Sequence, residues 1–122
     1  MPPKVRITKQ NIIETALDLC RRNGASSINA RSIAEALGCS TQPIFSNFAT
    51  MEELQSAVMV AAYEHYLGFL QSEAQSGKFP QYKSFGMAYI RFAKEEKELF
   101  KLLFMRDRTG EETSLSLDFE ES

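Results

Sequence analysis

No run of apolar residues in this sequence approaches the 18 or so that a bilayer-spanning helix needs, so no membrane segment is expected. The opening stretch MPPKVRITKQN is followed by no apolar h-region, which predicts no secretory leader. Cysteine is scarce: Cys20 and Cys39 are the only two, neither has a CxxC neighbour, and both sit in helical apolar patterns. They read as small buried hydrophobes in a reducing cytoplasm, with a redox-sensing pair as the alternative. The single histidine, His65, has no metal-spaced partner, so neither a metal site nor a cofactor is expected. No nucleophile–base pair, P-loop or glycine-rich phosphate cradle is present, which argues against an enzyme. Period-2 runs of β-branched residues never exceed four positions, and no internal repeat occurs.

Charge of one sign is not in large excess either. Fourteen Lys and Arg against sixteen Asp and Glu leave a net −2. The distribution is uneven, however. Residues 1–50 hold six basic residues (Lys4, Arg6, Lys9, Arg21, Arg22, Arg31) against three acids (Glu14, Asp18, Glu35), a net of +3; residues 51–122 hold the other eight against thirteen, a net of −5. The first part can approach a polyanion and the second is repelled by one.

What the sequence has in abundance is helical spacing. TKQNIIETALDLCRRNG places Ile12, Ile13, Ala16, Leu17 and Cys20 on one face, with Thr8 as N-cap, Arg21 and Arg22 in the last turn and Gly24 as the stop. NARSIAEALG gives a short second helix capped by Asn29, with Ile33, Ala34 and Leu37 as its stripe. A third starts at Ser40 or Thr41, accommodates Pro43 in its first turn and buries Ile44, Phe45 and Phe48. Thr50 with Glu53 forms a capping box for a fourth, running some 25 residues to Ser76, where Gly77 and Pro80 end it. A fifth covers about 81–93; a bend near KEEKE leads to a sixth, ELFKLLFM; TGEETSLSLDFEES then reads as an acidic tail. The fold class expected is all-α.

Two short helices joined by a tight glycine turn, at residues 29–48, predict a helix-turn-helix. Its leftover polar side chains, Thr41, Gln42, Ser46 and Asn47, are short donors and acceptors suited to base edges and phosphates in a major groove. The flanking cations Lys4, Arg6, Lys9 and Arg31 would supply the charge.

Residues 8–54 resemble the DNA-binding domain of the tetracycline-repressor-like (TetR) family of bacterial regulators. The resemblance rests on Ile33, Ala34, Leu37, Gly38, Ser40, Phe45, Phe48, Glu53 and Leu54, in that order and spacing. It implies that Asn29 and Arg31 touch phosphate or base, that Thr41, Gln42 and Pro43 face the groove, and that Ser46 and Asn47 complete the reading face. Phe45 stands where the family most often has a phosphate-bonding tyrosine, which leaves packing or a thymine-methyl contact. Met51 stands where a phosphate-binding lysine is common, which implies a shallower salt dependence.

The same resemblance divides the chain into a DNA-binding domain at 1–53 and, at 54–122, part of a helical domain for ligand binding and dimerisation. Met59, Tyr63, Tyr66, Phe85, Tyr89, Phe92 and Phe104 would contact an apolar or amphipathic effector, whose binding would tilt the fourth helix. The implied function is a ligand-responsive repressor, a cytoplasmic homodimer reading a palindromic DNA operator through residues 41–48. The chain is shorter than the family's usual members, so it is a fragment, a truncated product, or a protein that dimerises differently. The rival reading is a helical protein–protein interaction module that binds no specific DNA.

Overall fold

The computed structural model describes residues 6–105. Among them are six α-helices and no strand, as the periodicity requires: α1 (Lys9–Asn23), α2 (Ala30–Leu37), α3 (Gln42–Asn47), α4 (Met51–Ser76), α5 (Gln81–Glu95) and α6 (Lys97–Phe100). A single 3-10 turn, Ala25–Ser27, sits between α1 and α2, and a π turn, Lys101–Met105, follows α6. Lys4 and the acidic tail lie outside the described residues.

Capping chemistry fixes most of the boundaries. The Thr8 hydroxyl accepts the N–H of Asn11, and the Asn11 amide oxygen accepts the N–H of Thr8, each at 3.1 Å. This reciprocal pair satisfies two of the donors that a helix start leaves over. At α4 the Thr50 hydroxyl accepts from Glu53 N–H at 3.2 Å, but the Glu53 carboxylate reaches one residue further back, to Ala49 N–H at 2.8 Å. The bend expected near KEEKE falls at Glu96, whose backbone (φ −124°, ψ 58°) leaves the helical region. The sixth helix departs from expectation. It keeps α geometry for four residues and then widens into the π turn, with Leu99, Leu102 and Leu103 all directed into the core. No glycine or proline marks that change in the sequence.

One hydrophobic core runs through the described molecule. It joins Ile12, Ala16, Leu17 and Cys20 of α1, Ile33 and Ala34 of α2, and Ile44 and Phe48 around α3. Leu54, Val58 and Ala62 of α4, Phe92 of α5 and Leu99, Leu102 and Leu103 belong to it as well. Helix α1 is its hub, packing against α2, α3, α4 and α6. The sequence boundary at residues 53/54 therefore passes through continuous packing.

One side chain, Arg21, straps α1 to two other parts of the chain. Arg21 lies in the last turn of α1, as expected, and also reaches Glu96 through two bonds, Nε–Oε1 at 3.0 Å and Nη2–Oε2 at 2.6 Å. Its Nη2 also lies 3.2 Å from Nδ1 of His65 on α4. Gly24 (φ +90°) lets the chain turn close beside this strap: a Cβ there would sit 3.3 Å from Glu98 Oε1. Helices α4 and α5 pack along small residues, Ser84 and Ala88, both fully buried, and the Ser84 hydroxyl lies 3.4 Å from Phe79 O. Glu73, nearly buried on α4, is neutralised by Arg91 of α5 at 2.8 Å, and the Arg91 guanidinium stacks 5.0 Å from the Phe69 ring.

The two cysteines occupy different environments. Cys20 is fully buried, and Cys39 is partly exposed beside α2. Burial, reinforced by the Glu98 carboxylate and opposed by Arg21, pushes the Cys20 thiol up. Iodoacetamide is expected to label Cys39 well before Cys20 in the folded protein and both at similar rates in denaturant, read by peptide mass mapping. Equal rates in the native state would contradict the burial. The sign of the pH effect follows from the raised thiol. Its stabilising contribution is complete below the unfolded thiol's pKa of about 8.5 and is lost as pH rises through the folded value. Tyr66, raised by burial and by Tyr63 and Tyr89, acts in the same direction above about pH 10. The melting temperature should thus fall on the alkaline side.

Candidate nucleic-acid interface

Helix α2 is short but well terminated. The Asn29 amide oxygen caps it by accepting Ser32 N–H at 2.8 Å. At its other end Gly38 adopts the left-handed conformation (φ 72°, ψ 34°). Its N–H bonds Glu35 O at 3.2 Å, and Cys39 N–H bonds Ala34 O at 3.0 Å. This is the Schellman arrangement, which satisfies the last carbonyls of α2 and turns the chain in four residues toward α3. An L side chain at Gly38 would be strained even though nothing crowds the site.

Helix α3 has six residues, too few to hold its shape alone in water. Pro43 fixes φ in its first turn, and the Ser40 hydroxyl accepts Gln42 N–H at 3.4 Å, whereas the Thr41 side chain makes no cap bond. What holds α3 in place is tertiary packing: Ile44 is fully buried and Phe48, just past its end, nearly so. The opposite side is open. Thr41, Gln42 and Ser46 are exposed, and so is Phe45: expected on the buried side with Ile44 and Phe48, it is 47% accessible because the short helix turns only Ile44 fully into the core.

One expected member of that face is turned elsewhere. Asn47 is half-buried, and its Nδ2 donates to Pro43 O at 2.8 Å and to Ile7 O at 3.3 Å. Its amide satisfies a backbone carbonyl of the segment before α1, so it ties α3 to that segment instead of joining the open face. Ser46 also spends its hydroxyl hydrogen internally, on Gln42 O at 2.9 Å, which leaves its lone pairs outward. Asn29 is likewise committed: beyond its cap bond, its Nδ2 lies 3.4 Å from Ser26 O. Pro43 is half-buried, and Met51 packs against the core.

The basic surface is smaller than the sequence count suggests. Arg21 is occupied by Glu96, and Arg22 by Asp18 at 2.7 Å. Lys9 holds its ammonium 5.6 Å from the Phe48 ring centre. Arg6 and Arg31 are exposed and form no ion pair with any described residue. The Arg21 pair depends on which helices meet, whereas the Arg22–Asp18 pair is an i,i+4 contact within α1.

The residues expected to meet an effector divide into groups. Tyr66 centres an aromatic cluster, with ring centres 5.1 Å to Phe92, 5.3 Å to Phe104, 6.0 Å to Tyr63 and 6.4 Å to Tyr89. Phe69 and Phe100 extend the cluster, at 5.4 Å and 6.4 Å from Phe92. Rings at these separations touch one another. Phe92 is fully enclosed and offers no surface to an effector in this conformation. Tyr63, Tyr89 and Phe104 line the outer edge, Phe85 stands half-exposed without a ring partner among the described residues, and Met59 packs on the core. No described group of His, Cys, Asp or Glu could hold a metal ion. No described helix is long and apolar enough to cross a membrane.

Comparison with known protein families gives no match, and neither does comparison with characterised proteins.

Proposed function

We propose that this chain is a DNA-binding transcriptional regulator of the tetracycline-repressor-like kind, working as a cytoplasmic homodimer that represses from a palindromic operator and responds to a small apolar or amphipathic effector. The observation that carries the reading is the α2–Gly38–α3 corner. Ile44 and Phe48 anchor α3 from within, while an uncharged polar face of Thr41, Gln42 and Ser46, with Phe45 beside it, is left exposed. A short helix offering hydrogen-bonding groups and one exposed ring, flanked by arginines that pair with no described carboxylate, suits base edges, a thymine methyl and phosphates. Two such helices about 34 Å apart in a dimer would read successive major grooves, and a shift of α4 would alter that spacing.

Mobility shifts on duplex DNA across a salt series test the reading; affinity should fall log-linearly with salt. Gln42→Ala should change the sequences selected from a random pool. Arg31→Ala should weaken all sequences alike and flatten the salt slope by about 0.9. Unchanged selection by Gln42→Ala would place the reading face elsewhere.

A second reading, a helical module that binds another protein, draws on the exposed Val60, Tyr63 and Leu67 of α4 and Tyr82, Phe85, Tyr89 and Ile90 of α5. So many large apolar side chains left open are unusual on a small monomer. The absence of any DNA shift at low salt would favour it.

A further inference from the structure

An open cleft of about 500 Å³ separates the segment before α1 from α3, with Arg6 and Ile7 on one wall and Ser40, Gln42, Pro43 and Ser46 among the residues of the other. Two features set it apart. First, no described carboxylate lines it. The groove between α1 and α2 carries Glu14 and Asp18, and the groove at the start of α4 carries Glu52 and Glu53. Each of those grooves sets two carboxylates against one cation, Arg22 or Lys9, whereas the first offers an anion the Arg6 guanidinium, the Ser40 hydroxyl and the Gln42 amide, with Asn47 and Ser46 already bonded internally. Second, its two walls are tied together. The Asn47 amide bonds Ile7 O and Pro43 O at once, which fixes the position of the residue next to Arg6 relative to the open face of α3. Without that tie the Arg6 wall would sample more positions, at an entropic cost to any contact it makes.

We infer that this cleft receives the sugar–phosphate backbone of bound duplex DNA, with Arg6 pairing one phosphate and Asn47 acting as the positioning residue that holds the Arg6 wall against α3. The inference rests on the DNA-binding reading and extends it, since it gives Asn47 a structural link to a phosphate contact in place of a base contact. Arginine suits the task because its planar fork can pair two phosphate oxygens together. The Ser40 hydroxyl and Gln42 amide stand on the facing wall as neutral donors for the same strand.

The test is the salt dependence of full-chain binding to a pool of random-sequence duplexes, which needs no knowledge of the operator. Arg6→Ala should lower the magnitude of the log–log slope by about 0.9, the share of one phosphate, and Arg6→Lys should restore it. Arg6 is exposed, so Arg6→Ala should leave the melting temperature unchanged. Asn47→Ala should lower the slope by a like amount, and the double variant should lose no more than either single one. A slope for Arg6→Ala equal to wild type, with wild type binding normally, overturns the inference and leaves the DNA reading standing. An Asn47→Ala protein that melts like wild type and binds more weakly at an unchanged slope overturns the positioning role. Failure of wild type to bind any duplex at low salt overturns both.

Discussion

Replacing Ile44 with alanine is expected to cost about 2–5 kcal/mol of folding stability, the range for truncating a fully buried isoleucine. Small domains hold only about 5–15 kcal/mol in total. For a chain of this size the loss corresponds to a melting temperature lower by roughly 10–30 °C. The reason is specific to α3. Its six residues cannot persist alone, and Ile44 is its one fully buried side chain. Removing that anchor should free the helix before the rest of the molecule melts, so duplex binding should disappear at temperatures where the circular dichroism signal of α4 and α5 is intact. Phe45→Ala is the companion variant. Its ring is on the outside, so stability should move by no more than about 0.5 kcal/mol, while duplex affinity should fall. Thermal denaturation and mobility shifts on both variants read the difference. A melting temperature lowered equally by the two would show that α3 is seated with its other side inward.

Phe92→Ala should be more damaging still, at about 3–5 kcal/mol. The ring is fully enclosed and touches Tyr66, Phe69, Phe100 and Phe104. Truncation leaves a cavity in the middle of the aromatic cluster, and the edge-to-face contacts, each contributing about 0.5–1.5 kcal/mol, go with it. Tyr63→Ala, at the exposed rim of the same cluster, should change stability little. Denaturant titrations of the two proteins distinguish a core ring from a rim ring. A Phe92→Ala protein as stable as wild type would mean that the ring lies at an open surface.

The elements themselves were readable because their signals are local. Thr8, Asn29 and Thr50 were legible as caps, Gly24, Gly38 and Gly77 as stops, and the apolar stripe of α1 as a buried face; α4 ends at Ser76, where Gly77 predicts it, but α5 buries Ser84 and Ala88 and leaves Phe85, Tyr89 and Ile90 exposed. The corner of α2 and α3 was equally legible, since a left-handed glycine between two short stripes allows few paths. The roles of particular polar side chains were not. Asn47 has the composition of a base reader, but its amide is held by Pro43 O within α3 and by Ile7 O, forty residues earlier in the chain, and the second of these contacts has no sequence sign. Arg21 has the position of a dipole-compensating residue, and only the return of the chain at Glu96 gives it a carboxylate. Glu73 gives no sequence sign that it is buried, because its partner Arg91 lies on another helix. The π turn after α6 answers to core geometry and has no punctuation of its own.

The unbroken packing between α1 and the leucines of residues 99–103 has a practical corollary for engineers. A headpiece cut at residue 53 would strip Ile12, Leu17 and Cys20 of neighbours supplied by α4 and by the last described turns, and would expose an oily flank in their place. Chimaeras that graft the first fifty residues onto a foreign sensor are therefore poor candidates unless the graft carries Leu54, Val58 and the α6 leucines along, or supplies matching surrogates. The same continuity gives any distortion at the far end of the molecule a direct mechanical route into the helix that supports α3.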